Sequence, residues 1–266
     1  MVEFTWRDEG TPADGIAPGG VIVSAFPSAG LATIVAGHYM IRSLKLPRVG
    51  RFESPDLSPI AVVQGGEVNP TIRVYGRRDL ALVLSEFPPT PSQANAIART
   101  VLDVAEKRAA RLILCLEGVV PHPADDDEEV ANAPEPDTAA PEQVWVAFSR
   151  REPELVKTFL DTGARRLEDG VIGGVSGALL IQALGRKVPV ATLLVSAQAA
   201  EGLPDHRAGA ALIETLDKLL PELKIDTGPL RKQAEQIERM LRAAMKTRPP
   251  PAEASTEGPR DPSMYR

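Results

Sequence analysis

The chain has 266 residues, 43% of them hydrophobic and 25% charged, enough to bury one large core in the ordinary soluble balance. A formal charge of −6 excludes a general binder of nucleic acid or anionic membrane, which needs a basic field to displace counterions from phosphate. One cysteine, Cys115, excludes an internal disulfide framework and a cysteine-built zinc site, and no apolar run reaches the length of a membrane span or signal peptide, so a cytoplasmic location is expected.

Residues 1–19 read as an N-terminal extension ahead of a single domain over 20–246. The β-branched apolar run 21–26 predicts a strand, Pro27-Ser28-Ala29-Gly30 a tight loop, and 31–44 a helix. Short β-like runs at 60–63, 71–75 and 80–85 are separated by Gly65-Gly66 and Gly76-Arg77-Arg78-Asp79, which predicts hairpins forming an antiparallel flap on a parallel core. Thr90-Pro91-Ser92-Gln93 then supplies a capping residue, a proline at the first helical position and a capping-box glutamine for a helix ending near 108. Cys115 falls inside the next apolar strand, 111–116, as a small buried residue.

Further along, the pattern predicts a strand at 144–148, helices at 153–162 and 176–186, a strand at 190–195, and closing helices at 205–220 and 229–246. The last of these places Leu230, Ala234, Ile237 and Leu241 in helical register, giving one buried face. Such alternation predicts an α/β sandwich with a mostly parallel sheet.

Two segments stand apart. Residues 121–143 carry eight acidic side chains and no lysine or arginine among prolines and alanines, the composition of a disordered insertion. The run lacks the ligand spacing and glycine of a calcium loop, so no metal site is expected. Residues 247–266 form a flexible proline-rich tail, and if residues 247–263 behave as a coil their ends lie roughly 20–25 Å apart.

Candidate chemistry is sparse. Gly170 to Gly177 leads into a helix with Ser176 placed as its cap, and its amides would suit an anion at the positive helix end. It lacks the lysine of a P-loop and the spacing of a nucleophile elbow, and close helix-to-sheet packing accounts for the glycines equally well. His38, His122 and His206 share no ligand or catalytic spacing, whereas Glu86, just after an apolar strand, is the one carboxylate placed as an acid or base.

Several blocks resemble the proteasome-assembly-chaperone-two family, in order and over about 20–244: Phe26-Pro27-Ser28-Ala29-Gly30-Leu31, Ser85-Glu86-Phe87-Pro88, Gly173-Gly174-Val175-Ser176-Gly177-Ala178-Leu179-Leu180, Gly202-Leu203-Pro204-Asp205-His206-Arg207-Ala208, and Asp226-Thr227-Gly228-Pro229-Leu230. Glycine is usual in the family where Ser28 and Thr33 stand here. The resemblance implies a three-layer α/β fold similar to nucleoside phosphorylases, a homo-oligomer (tetramer or pentamer), no catalytic centre and no cofactor. It also implies a C-terminal hydrophobic-Tyr-X tripeptide for the 20S proteasome α-ring, which Met264-Tyr265-Arg266 fits. In that role a free carboxylate on Arg266 pairs with a lysine between ring subunits, Tyr265 buries its ring, and Met264 adapts to an apolar lip.

Two other classes remain open. One is a phosphorylase-like or hydrolase-like enzyme, or small-ligand binder, using the strand-end loops with Ser28, Gly30, Glu86, Gly174, Ser176 and Gly177. The other is a scaffold whose partner is read by the acidic insertion.

Overall fold

A computed structural model describes residues 2–9, 16–120, 142–198 and 203–247. The elements in chain order are β1 (Thr5–Asp8), β2 (Val21–Ala25), α1 (Ala32–Ser43), β3 (Arg48–Glu53), β4 (Val62–Gln64), β5 (Glu67–Asn69), β6 (Ile72–Arg77), β7 (Leu80–Ser85), α2 (Pro91–Lys107) and β8 (Leu112–Val119). After them come β9 (Val144–Phe148), α3 (Pro153–Leu160), β10 (Arg165–Arg166), α4 (Gly174–Gln182), β11 (Val190–Ser196), α5 (His206–Leu219) and α6 (Gly228–Thr247).

Runs apolar on both faces become central strands: all of β2 and β7 is buried, and so is β8 from Leu112 to Leu116. The capping box forms at the start of α2, where Thr90 Oγ1 accepts from the Gln93 amide at 3.4 Å and Gln93 Oε1 accepts from the Thr90 amide at 2.9 Å.

Nine strands form one sheet in the order β1-β3-β6-β7-β2-β8-β11-β9-β10, while β4 and β5 pair as a separate hairpin. The expectation of a mostly parallel, phosphorylase-like sandwich is overturned. Of the nine strand pairings among the described residues, five are antiparallel (β1/β3, β3/β6, β6/β7, β9/β11, β4/β5) and four parallel (β2/β7, β2/β8, β8/β11, β9/β10). The reason lies in the connections. Parallel neighbours need a crossover, usually a helix, but β6 and β7 are joined by Arg78-Asp79 alone, so the chain must reverse. The hairpin is therefore no appended flap: β7 is at once its second arm and a parallel neighbour of β2.

Helices cover both faces. On one face α1, α3, α5 and the start of α6 pack on Val23, Leu82, Leu84, Leu114 and Leu193. On the other, α2 and α4 pack on Ile22, Val83, Ile113 and Val190. Among the described residues one charged side chain, Arg73, is fully buried. Among the described residues no helix is long and apolar enough to cross a membrane.

Candidate functional site

The loop leaving β2 is held by hydroxyl chemistry. Gly118, at the end of β8, donates its N–H to Ser28 Oγ at 2.8 Å, and Thr33 Oγ1, 3.2 Å from Ser28 Oγ, donates to the Phe26 carbonyl at 2.6 Å. A hydroxyl has one proton, so Ser28 is the donor in its contact with Thr33, and Ser28 links the β2 loop to β8. Gly30, at φ +60°, lies where a Cβ would approach the Gln198 carbonyl to 2.9 Å, and its own carbonyl accepts the Asp205 amide at 2.7 Å. It thereby seats the start of α5 on the loop.

Glu86 follows β7 and meets two basic side chains through one oxygen. Arg73 Nη2 pairs with Glu86 Oε1, and His38 Nε2 of α1 stands 3.0 Å from the same atom, while Arg73 Nη1 donates to the Pro70 carbonyl at 3.3 Å. Burial by itself raises the Glu86 carboxyl, but the His38 hydrogen bond and the Arg73 charge together outweigh it and hold the group below the usual carboxylate range. Glu86 is thus the fixed counter-ion of a buried guanidinium.

A second carboxylate, Glu117, was not among the residues singled out in the sequence. It projects from β8 on the same side as Cys115 and accepts a hydrogen bond from Ser176 Oγ at 2.7 Å. Burial pushes its carboxyl up to about 7 against the opposing effect of the Ser176 bond, and burial likewise pushes the Cys115 thiol up to about 12. A lone glutamate in the apolar strand run of β8 is the sequence feature that marks it. Ser176 is not the cap of α4: Gly173 holds that position, and Ser176 lies inside the first turn. Gly174 opens the helix at φ +60°, and at Gly177 a Cβ would come within 2.2 Å of the Ile172 carbonyl, so this glycine permits close packing of the preceding loop.

Ser28 and Ser176 therefore flank one end of β8, whereas no hydrogen bond or ion pair among the described residues joins Glu86 to either. No group of three metal-ligating side chains occurs among the described residues. A groove of about 410 Å³ between β3, β6 and the small hairpin is lined by Glu9, Arg48, Asn69 and Tyr75. Within it Arg48 stands 2.7 Å from Glu9 and 2.6 Å from Asn69 Oδ1.

At the C-terminal end, α6 lies on α5 through the buried Leu230 and Ala234. Arg231 fixes it there, with Nη1 2.7 Å from Glu142 and Nη2 2.9 Å from Glu214, while Arg207 reaches Glu142 at 2.5 Å. Tyr39 of α1 donates to the Asp226 carbonyl at 2.6 Å just before the helix begins. Met264, Tyr265 and Arg266 lie outside the described residues, as does the insertion up to residue 141.

The family model described as "PAC2 family" matches residues 22–245. An uncharacterised protein of Methanocaldococcus jannaschii is 27% identical over 222 residues, 84% of each chain. The fold is similar to that of Pyrococcus furiosus PbaA, described as an archaeal homologue of proteasome-assembly chaperone (TM-score 0.74, 24% identity, 91% of this chain and 92% of that one). It is similar also to P. furiosus PbaB, described as an archaeal proteasome activator (TM-score 0.69, 20% identity, 92% of this chain and 100% of that one).

Proposed function

The chain belongs to the PAC2 family, and we propose on that premise that it is a proteasome-binding assembly chaperone or ATP-independent activator, presenting Met264-Tyr265-Arg266 to pockets between subunits of the 20S α-ring. What PbaA and PbaB are described as doing supports the reading, and the hydrophobic-Tyr-X tripeptide carries it. The body contributes a firm base: α6, clamped through Arg231, is the last described element before that tripeptide. Three residues bind weakly, because a small ligand gains little beyond the cost of its own immobilisation. Several tails on one homo-oligomer, a tetramer or pentamer, raise the effective concentration for each successive docking with no new kind of contact.

The test is binding of the full-length protein to purified 20S proteasome by interferometry, beside a variant lacking Met264-Tyr265-Arg266. Binding is expected for the first and not for the second. Equal binding by both overturns the tail mechanism.

A further inference from the structure

The groove between β3, β6 and the small hairpin has two walls of different chemistry. On the sheet side Arg48 and Tyr75 are cross-strand partners in the β3/β6 register, so their side chains stand beside one another on one face. Tyr75 is only 9% exposed, yet its hydroxyl, which lines the groove, has no hydrogen-bond partner among the described residues. Arg48 reaches Glu9 through Nε and Asn69 through Nη1, which leaves Nη2 without a partner among the same residues. Around this pair three guanidiniums, Arg7, Arg48 and Arg51, share two carboxylates, Glu9 and Glu53, so the network carries an excess positive charge.

The opposite wall is acidic. The hairpin turns its cross-strand pair Gln64 and Glu67 into the groove, while Val63 and Val68, paired with each other, point away from it. Neither the Gln64 amide nor the Glu67 carboxylate has a side-chain partner among the described residues. Unused donors on one wall and an unused carboxylate on the other suit a molecule with a carboxylate at one end and an ammonium at the other. A phosphate dianion would suit Arg48 but be repelled by Glu67, and a simple cation would suit Glu67 but meet the positive wall. The volume of about 410 Å³ lies in the range of small-molecule sites. We propose that this groove binds a short peptide with both ends free, its terminal carboxylate held by Arg48 Nη2 and the Tyr75 hydroxyl and its terminal ammonium by Glu67 and Gln64.

The site uses none of residues 264–266, so it stands or falls separately from tail docking. Calorimetric titration of the full-length protein with trialanine tests it. Saturable binding is expected, and masking either end of the peptide, by N-acetylation or by C-terminal amidation, should weaken it about tenfold. Two substitutions assign the ends. Glu67→Gln, on an exposed side chain, should weaken trialanine about tenfold and remove the discrimination against the N-acetylated form. Tyr75→Phe keeps the ring and should weaken trialanine while leaving the penalty for N-acetylation intact. If Tyr75→Phe fails to fold, Glu67→Gln with the two capped peptides decides. Inorganic phosphate should not displace the peptide. The proposal is overturned by the absence of saturable heat up to about 10 mM trialanine, by capped forms that bind as tightly as the free peptide, by displacement with phosphate, or by Glu67→Gln that binds like the wild type.

Discussion

Glu117 titrates near 7 in the folded chain against an ordinary value of 4.5, because burial disfavours its charge. The folded state therefore holds a proton that the unfolded state has released, and the associated stability, complete below pH 4.5, declines as pH rises towards 7. Glu117→Gln keeps an acceptor for Ser176 and removes the charge; it is expected to stabilise by about 1–3 kcal/mol at pH 8 and to change nothing at pH 4, read by urea unfolding at both. Glu86 behaves in the opposite sense. Glu86→Ala leaves the fully buried Arg73 uncompensated and should cost about 3–5 kcal/mol in the same assay, with Arg73→Met recovering most of it. Ser28→Ala strips the Gly118 amide of its acceptor, an expected loss of about 1–2 kcal/mol. The residue types at Glu86, Ser28 and Ser176 were visible in the sequence. Their partners were not, since Arg73, Gly118 and Glu117 come from other strands, and only the fold states which atoms meet.

Helix α6 illustrates the same limit one level up. Leu230, Ala234, Ile237 and Leu241 announce a buried face by their spacing; Leu230 and Ala234 are buried, Ile237 is half-buried, and the Leu241 side chain lies outside those described. What fixes the helix to the body is Arg231, whose partners Glu142 and Glu214 stand on two other segments of the chain. Burial raises the Glu142 carboxyl, but its bonds to Arg231 and Arg207 outweigh this and lower it; the Arg231 bond lowers Glu214 directly. Their contribution is thus present above about pH 4.5 and is lost as pH falls through the depressed values. Arg231→Ala is expected to cost about 1–2 kcal/mol of local stability, seen as hydrogen exchange about tenfold faster in the first turns of α6 with the sheet unaffected. An equal rise in exchange across β2 and β8 would show that the clamp supports the whole fold instead.

For the molecule as a whole, the existence of most strands and helices was legible, as was the reversal between β6 and β7, but the antiparallel pairings of β1, β3 and β9 were not. Apolar runs mark β2, β7, β8 and β11, but alternation with helices suggests parallel neighbours only where a helix makes the crossover. The polar β1 and β3, with sequences TWRD and RVGRFE, carry too little apolar pattern to be noticed, yet they extend the antiparallel half of the sheet. The order of strands has a further consequence for how the protein is made. β2 is among the first elements to leave a ribosome, but its neighbours are β7 and β8, and β8 in turn needs β11 on its free edge. The middle of the sheet stays open until Val190–Ser196 has emerged, so the nascent chain carries unpaired apolar strand edges through most of its synthesis. Products arrested before Val190 would keep the edge of β8 exposed, and they, rather than the finished protein, are the species in greatest need of protection from aggregation.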